Sequence, residues 1–339
     1  MGEENSSKTR WRVLLVVAVN LITIGFLVWT LRNFKLGELI DDVQQMNWWW
    51  VVLAVAADIG VYSLQAWRWR LLLHPVAPTS FWQTLRAVYV GLFGNEALGF
   101  NAGEVVRCYL ITRWTALPFS VSISSAIIER IFDGIWLCGS LFLTLRIVPR
   151  PRHMRLLVGS EYALAAIVLL GAALLAVALF HPHRARKALS DKNWQRHLRV
   201  VIDDLSLIGH SRYLYAAFGV SLGYLLLQSI PIYATFKGDG FLDLGMRDAF
   251  IMMVIIRVVS AVPQSPGNIG LYLLANEIMQ KIFRETPADS KNFSIVLWGI
   301  LALRLVIGGV VALTLAGARM GELRRAAHEH HAEHAKSRA

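Results

Sequence analysis

Leu214–Phe236 reads LYAAFGVSLGYLLLQSIPIYATF, without one charged residue. A helix of about 20 apolar residues crosses a hydrocarbon core of roughly 30 Å. Backbone amides in lipid have no water to bond, so such a run must be helical. Working outward from it, Val13–Leu31, Trp48–Leu64, Ala163–Phe180 and Ser294–Gly317 are runs of similar length. Together they explain why 55% of the 339 residues are hydrophobic and only 17% charged, well below the quarter usual in soluble domains. The expectation is an all-α, polytopic transmembrane helical bundle, multi-pass in the cell (inner) membrane. It divides into an N-terminal tail at 1–12, a membrane domain at 13–318 and a His-rich tail at 319–339. The first run lacks a small-residue cleavage site at its end and reads as a retained helix. The two cysteines, Cys108 and Cys138, fit neither a disulfide framework nor a metal spacing.

The net charge of +11 calls for no nucleic acid. Most basic residues fall in loops, where they set topology and meet anionic lipid headgroups. Lys8, Arg10 and Arg12 put the N-terminus in the cytoplasm. Arg68 and Arg70 are read as a return to that side. His181–Arg212, the richest basic loop, is cytoplasmic, and Arg319, Arg324 and Arg325 place the C-terminus there too. Arg32–Asn47 is then external, with Trp48-Trp49-Trp50 as an interfacial anchor. Arg146, Arg150, Arg152 and Arg155 lie in a predicted outer loop, against the rule.

Two stretches do not read as simple spans. Leu85–Thr112 (LRAVYVGLFGNEALGFNAGEVVRCYLIT) is expected to break at Gly91, Gly94, Gly99 and Gly103. Asp248–Phe283 (DAFIMMVIIRVVSAVPQSPGNIGLYLLANEIMQKIF) is expected to break at Pro263, Pro266, Gly267 and Gly270. Prolines stop a helix and glycines let the chain turn. As re-entrant hairpins entering from opposite faces, the two satisfy most of the loop charges and suggest an inverted repeat, a recurring transporter design; one or two full spans for each stretch is the alternative.

Charges inside a membrane are costly and tend to mark function. Glu104 and Arg107 are three apart and share a helix face. Glu129, Arg130 and Asp133 lie on adjoining faces of one run and leave an excess of negative charge. Arg257 and Arg304, each midway along an apolar run, are the expected partners. The segment Gln264, Pro266, Gly267 and Asn268 ends one half-helix and begins another, whose free N–H groups attract a phosphate or carboxylate. Glu277, about two turns on, is expected to face the same cavity. A plain salt-bridge clasp between helices is the structural alternative for these charges. For the tail HEHHAEH at His328–His334 the reading is a solvated segment, with no metal or other cofactor.

Three blocks in order carry a resemblance: Asn101-Ala102-Gly103-Glu104-Val105-Val106-Arg107, Glu129-Arg130-Ile131-Phe132-Asp133, and Pro263-Gln264-Ser265-Pro266-Gly267-Asn268-Ile269-Gly270. The chain resembles the membrane domain of the lysylphosphatidylglycerol synthase/flippase family over roughly residues 10 to 320. The resemblance implies a multi-helix domain with re-entrant elements that moves modified phospholipids or isoprenoid-linked lipids between leaflets. It carries over to Glu104, Arg107, Glu129, Arg130, Asp133, Pro266 and Gly267. Asn101-Ala102 departs from the basic opening expected of the first block, and the acid expected near Gly270 is displaced to Glu277. The chain is expected to be the membrane domain alone, without the soluble synthase domain. It is read as a lipid translocase rather than an enzyme. A membrane-embedded transferase using a lipid-linked donor and a non-catalytic partner of lipid-synthesis enzymes are the alternatives.

Overall fold

The computed structural model describes residues 46–98, 102–115, 117–147, 211–240, 243–260, 269–301 and 307–311, with isolated positions at 44, 169, 173 and 314. All regular structure among these residues is helical, with no strand. The expected runs Val13–Leu31 and Ala163–Phe180, the basic loop, both tails and the Pro-Gly segment 261–268 lie outside the described residues.

Helix α1 (Trp48–Leu73) extends the expected Trp48 run by two and a half turns. Asn47 starts it by accepting a hydrogen bond from Trp49 N at 3.2 Å, which satisfies one of the unpaired first-turn amides. The Leu214–Phe236 run is not one straight helix. It forms α5 (Arg212–Leu227) and α6 (Ser229–Asp239), meeting at Gln228. Pro231 explains the joint: it donates no amide bond and its ring crowds the carbonyl four residues back. The composite lies antiparallel to α1, and both ends are fixed. The His74 ring stacks on Tyr213 at 4.4 Å at one end, and Asn47 N donates to Gly238 O at 2.9 Å at the other. These two helices, Trp48–Leu73 and Arg212–Asp239, are long and apolar enough to cross a membrane by length and composition.

Between α1 and α5, α2 (Phe81–Leu98) and α3 (Ala102–Trp114) form an antiparallel hairpin. The expected breaks at Gly91, Gly94 and Gly103 do not occur. Gly91 and Gly94 lie inside α2 and Gly103 inside α3, and Gly99 lies outside the described residues. These glycines serve close approach instead. A Cβ on Gly103 would meet Gly91 O at 1.7 Å, and one on Gly91 would meet Gly103 O at 2.9 Å. On the other side of α2, a Cβ on Gly308 would meet Tyr89 O at 2.6 Å.

Helix α4 (Phe119–Ile147) runs the length of the bundle. Its start follows the end of α3, and its far end is marked by Arg247, which donates to Ile147 O at 3.0 Å. Arg146, expected in an outer loop, lies in the last turn of α4 with its guanidinium 4.6 Å from the Phe142 ring centre. There α7 (Met246–Ser260) begins. It is followed after 261–268 by α8 (Ile269–Ile278), which continues as a π-turn over Met279–Phe283. Gly270 is helical, not a break. Arg284, at φ 63°, closes the turn in the left-handed conformation that ends helices. Helices α2 and α7 therefore start from opposite ends of α4. An apolar cluster surrounds each: Trp69, Val88, Cys108 and Val121 at the first, and Phe236, Met252, Met279 and Phe293 at the second.

Candidate functional site

Between the two apolar clusters lies a network of charges. Helical spacing turns Glu129 of α4 inward, fully buried, and its two oxygens go to different helices. Arg68 of α1 donates from Nε to Oε1 at 3.0 Å, and Arg107 of α3 donates from Nη2 to Oε2 at 2.6 Å. Asp133, one turn further along α4, takes Arg68 through Nη1 and, at 3.4 Å, through Nη2. Glu104, on the first turn of α3, takes Arg107 at its Nε (2.9 Å) and Arg130 of α4. Arg130 approaches Asp133 only to 3.9 Å.

Aromatic and hydroxyl groups hold the guanidiniums in place. Arg107 lies 4.6 Å from the Trp69 ring centre, and the Trp69 indole N–H donates to Ser125 Oγ at 2.9 Å. Arg68 donates to Ser221 Oγ of α5 at 3.2 Å. Tyr224 is flanked by Arg68 at 4.9 Å and Arg257 at 5.3 Å, and its hydroxyl accepts from Arg257 Nη2 at 3.1 Å. Such cation–π contacts orient a guanidinium and gain strength away from water.

The compensation of Glu129 and Asp133 therefore differs from expectation. Arg68, expected at a loop boundary, is wholly buried and is their principal partner. Arg257 reaches Asp133 electrostatically while its hydrogen bond goes to Tyr224. Among the described residues, Arg68, Arg107 and Arg130 bridge Glu104, Glu129 and Asp133, so the local negative excess of Glu129, Arg130 and Asp133 is met by arginines of other helices. Exposure is uneven: Arg130 is 54% exposed, whereas Arg107 is 3% and Glu104 21%.

The sequence pattern described as the lysylphosphatidylglycerol synthase TM region matches residues 13–275. This chain belongs to that family. Membership of the lysylphosphatidylglycerol synthase transmembrane family makes it a membrane protein and accords with lipid handling. The chain is also similar to a UPF0104 membrane protein of Methanothermobacter thermautotrophicus, 28% identical over 124 residues. The match covers 36% of this chain and only 33% of that relative. No solved structure matches the chain.

Within this family member, the network unites Glu104, Arg107, Glu129, Arg130 and Asp133 from the first two sequence blocks, with Arg257 beside them. It does not include Glu277, which is exposed and paired with Lys281 on the next turn of its own helix. Helical phase turns it outward, since its neighbours Ala275 and Ile278 take the buried positions. Gln264, Pro266, Gly267, Asn268 and Arg304 lie outside the described residues. Arg68 is the member that sequence reasoning missed. Its signal was present: Asp58, Gln65, Arg68 and Leu72 recur at helical spacing along one buried face of α1.

Proposed function

We propose that this chain is a lipid translocase: its ionic network receives the phosphate-bearing headgroup of a phospholipid or isoprenoid-linked lipid and passes it between leaflets. The observation that carries the reading is the depth of the network together with the open side that Arg130 gives it. At about 1.5 Å per residue, Glu129 lies roughly 15 Å from Phe119 at the start of α4. Glu104 lies a similar distance from Trp114, and Arg257 from Met246 at the opposite end. All three helices bring charge to mid-height, where a polar route for a headgroup is needed and a merely interfacial ion pair is not.

The reading places the chain as a polytopic protein of the cell membrane with both termini cytoplasmic, and exposed aromatic residues fit two membrane interfaces. Exposed Trp49 and Trp67 lie at opposite ends of α1. They are separated by about 27 Å at helical rise, close to a hydrocarbon thickness, with Trp82 and Tyr215 exposed on helices that start at the Trp67 end. Helix α3 has 13 residues and α7 has 15, each about 20 Å and short of a full crossing. That is the form expected of re-entrant hairpins inserted from opposite faces. Basic loops would meet the anionic membrane surface. Acyl chains would stay in lipid while Arg130, the most exposed cation of the network, takes the phosphate. No covalent step is assigned to any residue.

The test is movement of labelled headgroups in liposomes. Arg130→Ala should slow translocation at least about tenfold, a loss of ~1.4 kcal/mol in the barrier-lowering contact, with little change in the melting curve. Arg130→Lys should rescue poorly, because lysine lacks the planar two-point fork. Normal translocation by a folded Arg130→Ala protein would remove the reading.

A further inference from the structure

We propose that the Glu104 carboxylate is an internal stand-in for a lipid phosphate. It closes an anion seat between Arg107 and Arg130, and an arriving phosphate takes the seat by exchanging with it. The proposal rests on the headgroup reading above and adds to it a mechanism of competition within the chain.

The first ground is geometry. One oxygen of Glu104 takes Arg107 through Nε at 2.9 Å and Nη2 at 2.6 Å, and the other takes Arg130. A single anionic centre with its oxygens divided between two guanidiniums is also how arginines hold phosphate. The second ground is that the seat survives without Glu104. Arg107 keeps Glu129 at 2.6 Å and the Trp69 face at 4.6 Å, so it stays in place when its neighbour leaves. The third is a donor to spare. Among the described residues, Arg107 Nη1 is buried without a hydrogen-bond partner. Both oxygens of the carboxylate are already engaged, whereas a phosphate brings further oxygens to fill that position. An unpaired donor buried in this way is costly, which favours the exchange.

Access and freedom to move point the same way. Arg130, at 54% exposed, is the open side of the seat and Arg107 its floor. Glu104 follows Gly103, whose backbone is locked against Gly91 with no room for even a methyl group. The exchange is therefore a rotation of the Glu104 side chain about its own bonds, not a withdrawal of α3. Within the seat one negative charge replaces another, and the Glu104 carboxylate turns to the open side beside Arg130. A lipid headgroup and inorganic phosphate share this chemistry.

The experiment titrates the full-length protein, in a neutral detergent, with short-chain phosphatidylglycerol and in parallel with inorganic phosphate, by calorimetry. If Glu104 holds the seat about nine-tenths of the time, Glu104→Gln should bind the lipid roughly tenfold more tightly than wild type. Glu104→Asp, too short to span both arginines, should also gain affinity, and it carries the test if the glutamine variant does not fold. Arg130→Gln should lose binding alone and in combination with Glu104→Gln. If wild type binds and Arg130→Gln does not, yet neither Glu104 variant gains, the stand-in is refuted and the headgroup reading stands. If Arg130→Gln binds as wild type does, the headgroup reading itself fails and takes the stand-in with it. Equal affinity of Glu104→Gln for inorganic phosphate and for the lipid would overturn the lipid as the intended occupant.

Discussion

Replacing Arg68 by methionine should be the most damaging single change in the network. The side chain is wholly buried, and the substitution keeps most of its volume while removing the charge. It takes the 3.0 Å bond from Glu129, both bonds from Asp133 and the 3.2 Å bond from Ser221. Glu129 retains Arg107, but Asp133 is left with Arg130 at 3.9 Å and with the more distant Arg257. Stranding one member of a buried ion pair costs about 3–5 kcal/mol. Arg130→Gln, by contrast, disturbs a half-exposed group and should cost no more than about 1 kcal/mol. Reversible unfolding in mixed detergent micelles, followed by tryptophan fluorescence, would measure both. The double variant Arg68→Met/Asp133→Leu should recover more than half of the loss, because removing a buried charge with its partner is often nearly neutral. An Arg68→Met protein within about 1 kcal/mol of wild type, or a double variant no better than the single, would refute the assignment of Arg68 as the keystone partner.

Gly103→Ala should prevent stable packing of the first hairpin, since its Cβ would meet Gly91 O at 1.7 Å, whereas Gly139→Ala in α4 meets nothing within 4 Å. The second change should be neutral or stabilise by up to about 1 kcal/mol through helix propensity, and paired melting curves check both. Brominated lipids should quench Trp49, Trp67 and Trp82 most strongly when the bromine is near the headgroup. The check uses single-tryptophan variants in vesicles, and strongest quenching from the acyl-chain ends would contradict the belts.

What the sequence made legible follows from the range over which each signal acts. The bilayer imposes a length on any crossing helix, so Trp48–Leu64 and Leu214–Phe236 stand out without knowledge of any neighbour. Glu104–Arg107 and Arg130–Asp133 are pairs within a turn, readable from spacing alone. Arg68 is different. It sits in Trp67-Arg68-Trp69-Arg70, a pattern that reads as an interface, and its carboxylate partners are 61 and 65 residues away. Arg70 fits that reading, donating to Thr79 O at 3.0 Å just beyond the helix. Arg68, two residues earlier, points the other way. Glycine was ambiguous for a related reason. In an apolar run it signals either a turn or the close approach of another backbone, and at Gly91 and Gly103 only the partner helix decides between them. Pro231 was visible but sat in an otherwise continuous apolar run, so the joint between α5 and α6 was hidden by the very hydropathy that revealed the span.

The separation of Arg68 from its partners has a consequence for biosynthesis. At about 5–20 residues per second, the ribosome takes roughly 3 to 12 seconds to make the 61 residues between Arg68 and Glu129. Throughout that interval Arg68 lacks the two α4 carboxylates that hold it in the folded protein. The arginine can wait at the water boundary, where a long side chain can keep its head hydrated, until α4 follows with two carboxylates. The first hairpin emerges during this wait, bringing Arg107 with its helical neighbour Glu104 but not yet with Glu129. Arg68 and Arg107 thus both await the same carboxylate, which reaches them only when α4 docks. Assembly of this half of the protein is timed by the arrival of Glu129.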